Sequence, residues 1–428
     1  MKLKFRIKSG ALQFTVFIAV LIALLLAGIV LYAYTFIYMK EQSKGAIENI
    51  QIADIGIQSL LEQKEINTDT TTINFIEKDK QIIKTNLSTW GIFQKGISNS
   101  QFRKKKFIKT ALIGTLLNAN KSPTVFLQDS HNTLSVVGTT SIKGIAYLPF
   151  KQAKSGYIAG NNYYGSQLIY GKIEKSSAEL PPLSKTFENE IKFYFQEYKP
   201  SNQHDYINLN SAKKITNSFN EKTKGFYSEN PIILDNVAIS GNIIIKSETA
   251  ITVKNTSKLK DLILIAPLIE IEAETIGNFQ AIATKKITVG ENCNLEFPSA
   301  LLLFQDSIDS SKPISNDIST NNDIFINTGT TIKGSVVYYQ TKESSDFRSQ
   351  ITLEKNARIK GQVYCNGNFE IKGIVSGSVI TKQFVANQSG SIFINHVFNA
   401  TIENENIPEL YGGIILEKQP KTVLKWLY

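Results

Sequence analysis

The chain has 428 residues, of which 42% are hydrophobic and 10% are aromatic, a composition that excludes general disorder and suits two or three folded units. Its formal net charge is +10, but residues 1–130 hold most of the excess, and residues 131–428 are left with only +2. Charge this dilute does not build the basic stripe that nucleic-acid binding requires, so nucleic acid is not expected as a partner.

The N-terminal region predicts a short tail and a transmembrane helix. Residues 14–39 contain no charged side chain and exceed the roughly 20 residues needed to cross a hydrocarbon core. Residues 1–13 form the tail and carry four basic side chains, whereas only Lys40 and Lys44 follow the span closely. Because basic residues are enriched on the cytoplasmic side, we expect a cytoplasmic tail and an extracytoplasmic bulk, either periplasmic or at the cell surface.

A cleavable secretory signal is the competing interpretation of this segment. Such signals have a shorter apolar core of about 7 to 15 residues and end in a small-x-small site, which the residues around Ala33 do not supply. Tyr32, Tyr34, Phe36 and Tyr38 cluster at the exit of the span, as interfacial aromatic rings do. The sequence therefore favours an uncleaved signal anchor, with a single pass through the cytoplasmic (inner) membrane.

Residues 40–65 predict a helical stalk that continues the membrane helix. Ile47, Ile50, Ile57 and Leu61 recur there at nearly helical spacing. The apolar edge that they form would pack either on a neighbouring chain or on the protein's own next domain, and the sequence leaves both readings open.

Residues 66–126 predict a small mixed or β domain, because the pattern changes to short β-like runs. A basic cluster at residues 103–106 interrupts these runs. It indicates either a solvated face or a contact with an anionic surface, such as lipid headgroups or a wall polymer.

An eighteen-residue period organises the remainder of the chain. Residues 251–253, 269–271 and 287–289 repeat an apolar-polar-apolar triplet, which is typical of a strand with one face inward. A further apolar residue follows eight positions after the first residue of five such triplets, at Ile142, Leu259, Leu295, Ile332 and Ile359.

Three of those matches end in Ile-Lys-Gly, at residues 142–144, 332–334 and 359–361, and a looser relative lies at 371–373. Glycine suits a sharp corner, and a chain that returns to the same place every eighteen residues coils. One coil cannot bury its apolar side alone and must stack on its neighbours. We therefore predict a mainly β fold, a parallel β-helix (solenoid) of about 18 residues per coil, over residues 127–400.

Breaks in the period predict additional elements. A helical insert is expected at residues 181–229, where it would cover an apolar flank or an end of the solenoid. A polar loop is expected at residues 341–348, and residues 401–428 look too apolar for a loose tail and predict a C-terminal cap. The apolar stripe of the insert's helix, which would end at Pro200, is formed by Phe187, Ile191, Tyr194 and Tyr198.

Two resemblances follow from these patterns. The coils with their Ile-x-Gly corners, from about Leu134 to Val385 without the insert, resemble the solenoids of bactofilins, which implies a self-assembling structural scaffold. The membrane anchor, small domain and insert depart from that family. The run from Ser9 to Thr15 before the apolar helix is similar to the N-terminus of minor type IV pilins, which implies cleavage after Gly10; a glutamate usual in that family is Thr15 here.

No catalytic constellation is found, so the chain is not expected to be an enzyme, and no cofactor, metal site or catalytic residue is predicted. A Ca²⁺ site is a minor alternative to a solvated loop for the acidic group Asp306, Asp309, Asp317 and Asp323, which lacks EF-hand spacing. The histidines have no paired spacing for a metal and lie at His131, His204 and His396.

Cys293 and Cys365 are the two cysteines of the chain. The eighteen-residue template places them at different offsets and at least two coils apart, which is about 10 Å at a strand spacing of about 4.8 Å. A disulfide requires Cα atoms within about 7 Å. We therefore predict two free, largely buried thiols.

The sequence as a whole predicts a membrane-anchored structural or interaction protein of the cell envelope. Its partners would be membrane lipid through the N-terminal helix and an envelope polymer or another protein, with self-association left open. Two alternatives are a minor-pilin-like component of a type IV pilus or secretion-type assembly, and a β-helix that binds or cleaves polysaccharide.

Overall fold

The computed structural model describes residues 9–63, 71–74, 81–102, 105–118, 122–199, 213–306, 323–342, 346–404 and 411–427. The first eight residues of the predicted tail, and parts of the predicted basic cluster and polar loop, therefore lie outside the described residues.

The helices are α1 (Ser9–Glu62) and α2 (Phe187–Gln196). The strands in the first half of the chain are β1 (Thr71–Asn74), β2 (Gln81–Trp90), β3 (Phe93–Phe102), β4 (Lys105–Leu116), β5 (Val125–Leu127), β6 (Leu134–Val137), β7 (Ser141–Lys143), β8 (Ala146–Leu148), β9 (Ala153–Ser155), β10 (Ile173–Lys175), β11 (Lys214–Asn217), β12 (Lys224–Ser228), β13 (Ile232–Leu234) and β14 (Ala238–Gly241). The remaining strands are β15 (Ile243–Ser247), β16 (Ala250–Val253), β17 (Lys258–Ile271), β18 (Ile276–Val289), β19 (Asn294–Gln305), β20 (Asp323–Ile326), β21 (Thr331–Gln340), β22 (Ile351–Leu353), β23 (Arg358–Ile371), β24 (Ile374–Gln388), β25 (Ser391–Ile394), β26 (His396–Phe398), β27 (Thr401–Glu403), β28 (Gly412–Gly413) and β29 (Lys421–Leu427).

The protein is mainly β, with one long apolar helix at the N-terminus. Strands β1 to β4 form an antiparallel sheet in chain order, and β28 and β29 extend it along the other edge of β4. Residues 401–428, the predicted cap, dock back onto earlier strands of the chain. Their last strand completes this antiparallel sheet, and β27 pairs with β24 and β7 inside the parallel strands.

The predicted membrane helix and stalk form one uninterrupted helix, α1. Its C-terminal part packs on the antiparallel sheet, so the apolar edge meets the protein's own next domain. The predicted stripe is partly wrong, because Ile47 and Ile50 are exposed. A Cβ at Gly56 would lie 2.1 Å from Ser98 Oγ, so the helix turns its small-residue side to the sheet. The buried positions on that side are Asn49, Ile52, Ala53, Gly56, Ile57 and Leu60.

Residues that repeat every eighteen positions in the sequence lie directly above one another in successive strands. Ile251 stands in register with Ile269, and Ile269 with Ile287, in successive parallel strands. The same column continues through Ile324 and Ile351. All five side chains are buried in one hydrophobic cluster, which fills the space enclosed by the parallel strands.

The parallel strands do not stack in the order of the chain. The late strand β24 pairs with β5, β5 pairs with β8, and β8 pairs with β10. The first and last parallel segments are therefore neighbours. At the opposite end of the stack, β11 pairs with β14, β12 with β15 and β13 with β16.

One wall of the parallel region is apolar on both of its faces. In β17, Leu262 and Leu264 point into the inner cluster, whereas Ile263 and Ile265 belong to a second cluster on the outer side. Helix α2 covers part of this outer side through Phe187, Ile191 and Tyr194, as the sequence predicts for the insert. We call this side of the parallel strands, which includes Ile263 and Ile265, the outer wall. The outer wall is a buried surface.

Lys246 fixes the end of α2 against the outer wall. It lies on β15 with only 1% of its surface exposed, and its Nζ donates to the backbone oxygens of Phe195 at 2.6 Å and Tyr198 at 3.3 Å. These carbonyls lie at the C-terminal end of the helix, where a positive charge is favourable. Glu248 is the acidic partner of the same ammonium group, at 3.4 Å.

The glycines of the Ile-Lys-Gly corners stand in one column, as expected. Gly334 pairs with Gly361, and Gly361 pairs with Gly377. Gly373, the looser match, lies instead in the bend between β23 and β24. Gly361 has φ +142°, and a Cβ there would lie 2.0 Å from the backbone oxygen of Gly334, so neither the conformation nor the space admits a side chain.

We expect Gly361→Ala to lower the free energy of unfolding by about 3 kcal/mol or more, because the new methyl group meets rigid backbone. Gly390→Ala is the matched control. Gly390 also has positive φ, +79°, but nothing lies within 4 Å of its Cβ position, so only about 1–2 kcal/mol of conformational strain is expected. Thermal unfolding of the detergent-solubilised variants, followed by circular dichroism, measures both. Equal losses would contradict the close stacking at this corner.

Candidate functional site

The acidic residues singled out in the sequence do not form a metal site in the described part of the chain. Asp306 pairs with Lys192 at 3.1 Å and accepts a hydrogen bond from Thr341 Oγ1 at 3.1 Å. Asp323 lies 3.7 Å from Lys286, and burial raises the pKa of its carboxyl group. Among the described residues, no group of three or more histidine, cysteine or acidic side chains converges. Asp309 and Asp317 lie outside those residues.

The described histidines occupy separate structural positions. The backbone N–H of His131 donates to Asp129 Oδ1 at 3.0 Å, and its ring lies 6.0 Å from that of Phe150. His396 Nδ1 lies 2.7 Å from the backbone oxygen of Ile394, and burial lowers the pKa of this imidazole. His204 lies outside the described residues.

Cys293 and Cys365 are free and buried, as predicted. Cys365 pairs in register with Tyr338 in the middle of a strand, whereas Cys293 lies in the turn before β19. Burial raises the pKa of the Cys365 thiol to about 12 and also raises the pKa of Cys293. Both side chains therefore act as small apolar groups of the inner core.

Among the described residues, the N-terminal half of α1 carries the longest run of exposed large hydrophobic side chains. Its large hydrophobic side chains between Leu12 and Met39 are each 40–73% exposed, around the whole circumference of the helix. The segment from Gly10 to Glu62 is long and apolar enough to cross a membrane, with a mean hydropathy of 3.1 in its most apolar part. A helix that is apolar on all sides must be covered by lipid or by other helices.

The antiparallel sheet connects this helix to the parallel strands through an amide clamp at the β2–β3 turn. Gln280 points outward from β18 into the outer wall. Its Oε1 accepts the backbone N–H of Ile92 at 2.9 Å, and its Nε2 donates to the backbone oxygen of Trp90 at 2.9 Å. Gly91 has no Cβ, which would otherwise lie 2.1 Å from Gln280 Oε1. The turn also donates the N–H of Gly91 to the hydroxyl of Tyr194, whose pKa burial raises to about 12.

A second glutamine makes a similar contact with the C-terminal segment. Gln362 lies three strands away from Gln280 in the same outward column. Its Oε1 accepts the backbone N–H of Ile414 at 2.9 Å, and Gly413 leaves the necessary space. Both clamps contact the antiparallel sheet at the same end, where the β2–β3 turn and Gly413 lie beside the C-terminal end of β4. A Lys425–Asp261 ion pair adds a contact from β29.

Apolar side chains fill the junction between the clamps. The outer-wall cluster includes Trp90, Ile92 and Phe93 from the β2–β3 turn, together with Leu424 and Leu427 from β29. The antiparallel sheet thus contributes to two separate hydrophobic clusters, one with α1 and one with the parallel strands. Sequence analysis missed this junction, although the continuous apolar runs at residues 262–266 and 300–304 are a usable signal for strands buried on both faces.

Comparison with known proteins does not assign the chain to a family. No family model matches the chain, and no curated protein matches it, so the resemblance to bactofilins is not confirmed. Among solved structures, the chain is similar to the competence-associated pilin ComZ from Thermus thermophilus, at 11% sequence identity and a TM-score of 0.24, over 90% of this chain and 97% of that one. A TM-score this low does not superimpose the two folds, so function is inferred from this chain's own geometry.

Gln280→Ala should destabilise the protein more than Gln362→Ala. The first substitution leaves two buried backbone groups without partners and should cost about 2–4 kcal/mol, whereas the second leaves one and should cost about 1–2 kcal/mol. Denaturant titration of the two variants in the same detergent measures the difference. The opposite order would contradict the assignment of Gln280 as the stronger clamp.

Neither cysteine should react with a maleimide at pH 7.5 while the protein is folded, because burial restricts access and the raised pKa values suppress the thiolate. Both should react within minutes in 6 M guanidinium chloride. Mass spectrometry counts the adducts. The variant Ser391→Cys, at an exposed site in β25, is the positive control for labelling of the folded protein; labelling of Cys365 at a similar rate would contradict its position in the core.

Proposed function

We propose that this chain is a membrane-anchored, pilin-like protein of the cell envelope, which holds a parallel β-helix outside the membrane on a single long helix. The observation that carries the proposal is the division of α1 into two halves of different chemistry. The first half is apolar and exposed on all sides, and the second half packs on a sheet by one stripe only.

The geometry of α1 suits a membrane anchor. Its 54 residues extend about 81 Å, far more than the roughly 30 Å of a hydrocarbon core. About half of this length suffices for the span, and the remainder reaches into the folded part of the protein. Since basic residues are concentrated before the span, we place the tail in the cytoplasm and the β structure on the other side.

Two further features support the pilin-like part of the proposal. The residues from Ser9 to Thr15 match the cleavage region of minor type IV pilins around Gly10, apart from Thr15 itself. The exposed apolar half of α1 is also suited to two environments, because side chains that contact lipid in the membrane are equally able to contact the helices of neighbouring subunits. The protein would then act as a component of an assembly.

The β-helix is the part that such an anchor would present. The in-register columns of β16, β17, β18, β20 and β22 support a coil of eighteen residues with loops inserted at its corners. Its contacts with the antiparallel sheet would keep it at a defined orientation to the membrane helix. We propose a structural or binding role for it.

Charged residues in the apolar half of α1 should release the protein from the membrane. For Leu24→Arg/Leu25→Arg we expect loss from the membrane pellet, because each arginine costs about 2.5–3.5 kcal/mol at the centre of a span. Ile50→Arg/Ile55→Arg places the same charges at exposed positions of the same helix beyond the span and should leave the protein in the pellet. Fractionation after carbonate extraction distinguishes these results; retention of the Leu24/Leu25 variant would refute the anchor.

The mature N-terminus tests the pilin-like assembly separately from the anchor. Mass spectrometry of the protein purified from its native membrane should find Ala11 as the first residue, as the resemblance implies. An intact N-terminus beginning at Met1 would contradict processing and leave a plain signal anchor.

A further inference from the structure

One solvent-facing side of the parallel region carries an excess of basic side chains. Ten strands cross it in the order β11, β14, β17, β18, β19, β21, β23, β24, β27 and β7. Side chains alternate along each strand, so the residues on either side of buried positions such as Leu259, Ile332 and Ile359 point outward. The outward charged residues, which define the basic face, are Lys143, Lys214, Lys258, Lys260, Glu296, Lys333, Arg358, Lys360 and Glu403.

The basic face therefore has seven positive and two negative side chains, a net charge of +5. The next side of the parallel region, formed by β16, β20 and β22 with the C-terminal parts of β17, β18 and β23, has the opposite sign. Its charged residues are Glu270, Lys285, Lys286, Asp323 and Glu370, a net charge of −1. The small net charge of residues 131–428 thus conceals a separation of charge between two faces.

Like charges are stacked on the basic face. Lys333 lies in register with Lys360 in the neighbouring strand, at a spacing of about 4.8 Å, and Arg358 lies on the same side two residues away. Stacked like charges destabilise a sheet. Glu296 compensates one of them through an ion pair with Lys333 at 2.8 Å. An external anion would compensate the charges of Lys360 and Arg358.

We infer that the basic face binds a linear anionic glycan of the cell envelope. Ten strands at about 4.8 Å spacing extend about 43 Å, so the face offers about one net positive charge per 9 Å. Duplex DNA carries one negative charge per roughly 1.7 Å, far more than this face matches, whereas a glycan with one carboxylate or phosphate per one or two sugars is much closer. The choice of an envelope glycan as the ligand rests on the proposed extracytoplasmic location. Binding of an anionic glycan by the purified protein can be measured whatever that location is.

The test uses the full-length protein in a zwitterionic detergent. Binding of fluorescently labelled polygalacturonate is measured by anisotropy, with dextran as the neutral glycan and a 30-base-pair DNA duplex as the denser polyanion. We expect saturable binding to polygalacturonate that weakens steeply as the salt concentration rises, and no binding to dextran.

The variant Lys258→Gln/Lys260→Gln/Arg358→Gln/Lys360→Gln removes four charges from the basic face and should raise the dissociation constant for polygalacturonate at least tenfold. The matched control, Lys154→Gln/Lys175→Gln/Lys185→Gln/Lys222→Gln, removes four exposed lysines elsewhere and should change it less than twofold. Thermal unfolding of both variants checks that they are folded.

Equal losses in the two variants, or binding that is insensitive to salt in the unaltered protein, would overturn the assignment of this face. Binding of the DNA duplex at least tenfold tighter than polygalacturonate would overturn the choice of a glycan. These results are independent of the anchor, because fractionation of the Leu24/Leu25 variant and the glycan titration measure different parts of the chain.

Discussion

Backbone pairing between successive parallel strands is the constraint on which the rest of the structure depends. Each of these strands satisfies its N–H and C=O groups only through the strand above or below it, and its inward side chain is buried only when the same position is apolar in the next layer. The column from Ile251 to Ile351 meets both conditions at once. The corner glycines follow from the same constraint, because adjacent backbones approach too closely there for a Cβ.

The same strands show how burial determines the other contacts of the protein. On two sides of the parallel region, polar and apolar residues alternate and one face meets solvent. On the outer wall both faces are apolar, so this side must be covered. Helix α2 and the antiparallel sheet cover it, and Gln280 and Gln362 provide the polar contacts that a wholly apolar junction would lack. Their amides satisfy backbone groups that would otherwise be buried without partners.

The parts of the fold that could be predicted are those in which apolar residues recur at regular intervals in the sequence. The column at Ile251, Ile269 and Ile287, the stripe of α2 and the uncharged span of α1 all repeat at fixed intervals, and all three are present. The packing side of α1 was only partly predicted: Ile57 is buried as expected, but the side is completed by the small residues Ala53 and Gly56 rather than by Ile47 and Ile50. The amide clamps and the basic face could not be predicted, since each joins residues from distant strands that only the register brings together.

The pairing of early with late strands has a consequence for the biosynthesis of the protein. Strands β5 and β7 find their neighbours in β24 and β27, more than 230 residues further along the chain, and β4 receives β29 from the last residues described. Neither sheet is complete until nearly the whole polypeptide has been synthesised. Until then the early strands keep unpaired hydrogen-bonding edges. A product interrupted near its end would retain such edges in both sheets, and unpaired edges of this kind are prone to aggregation and are targets of chaperones and proteases.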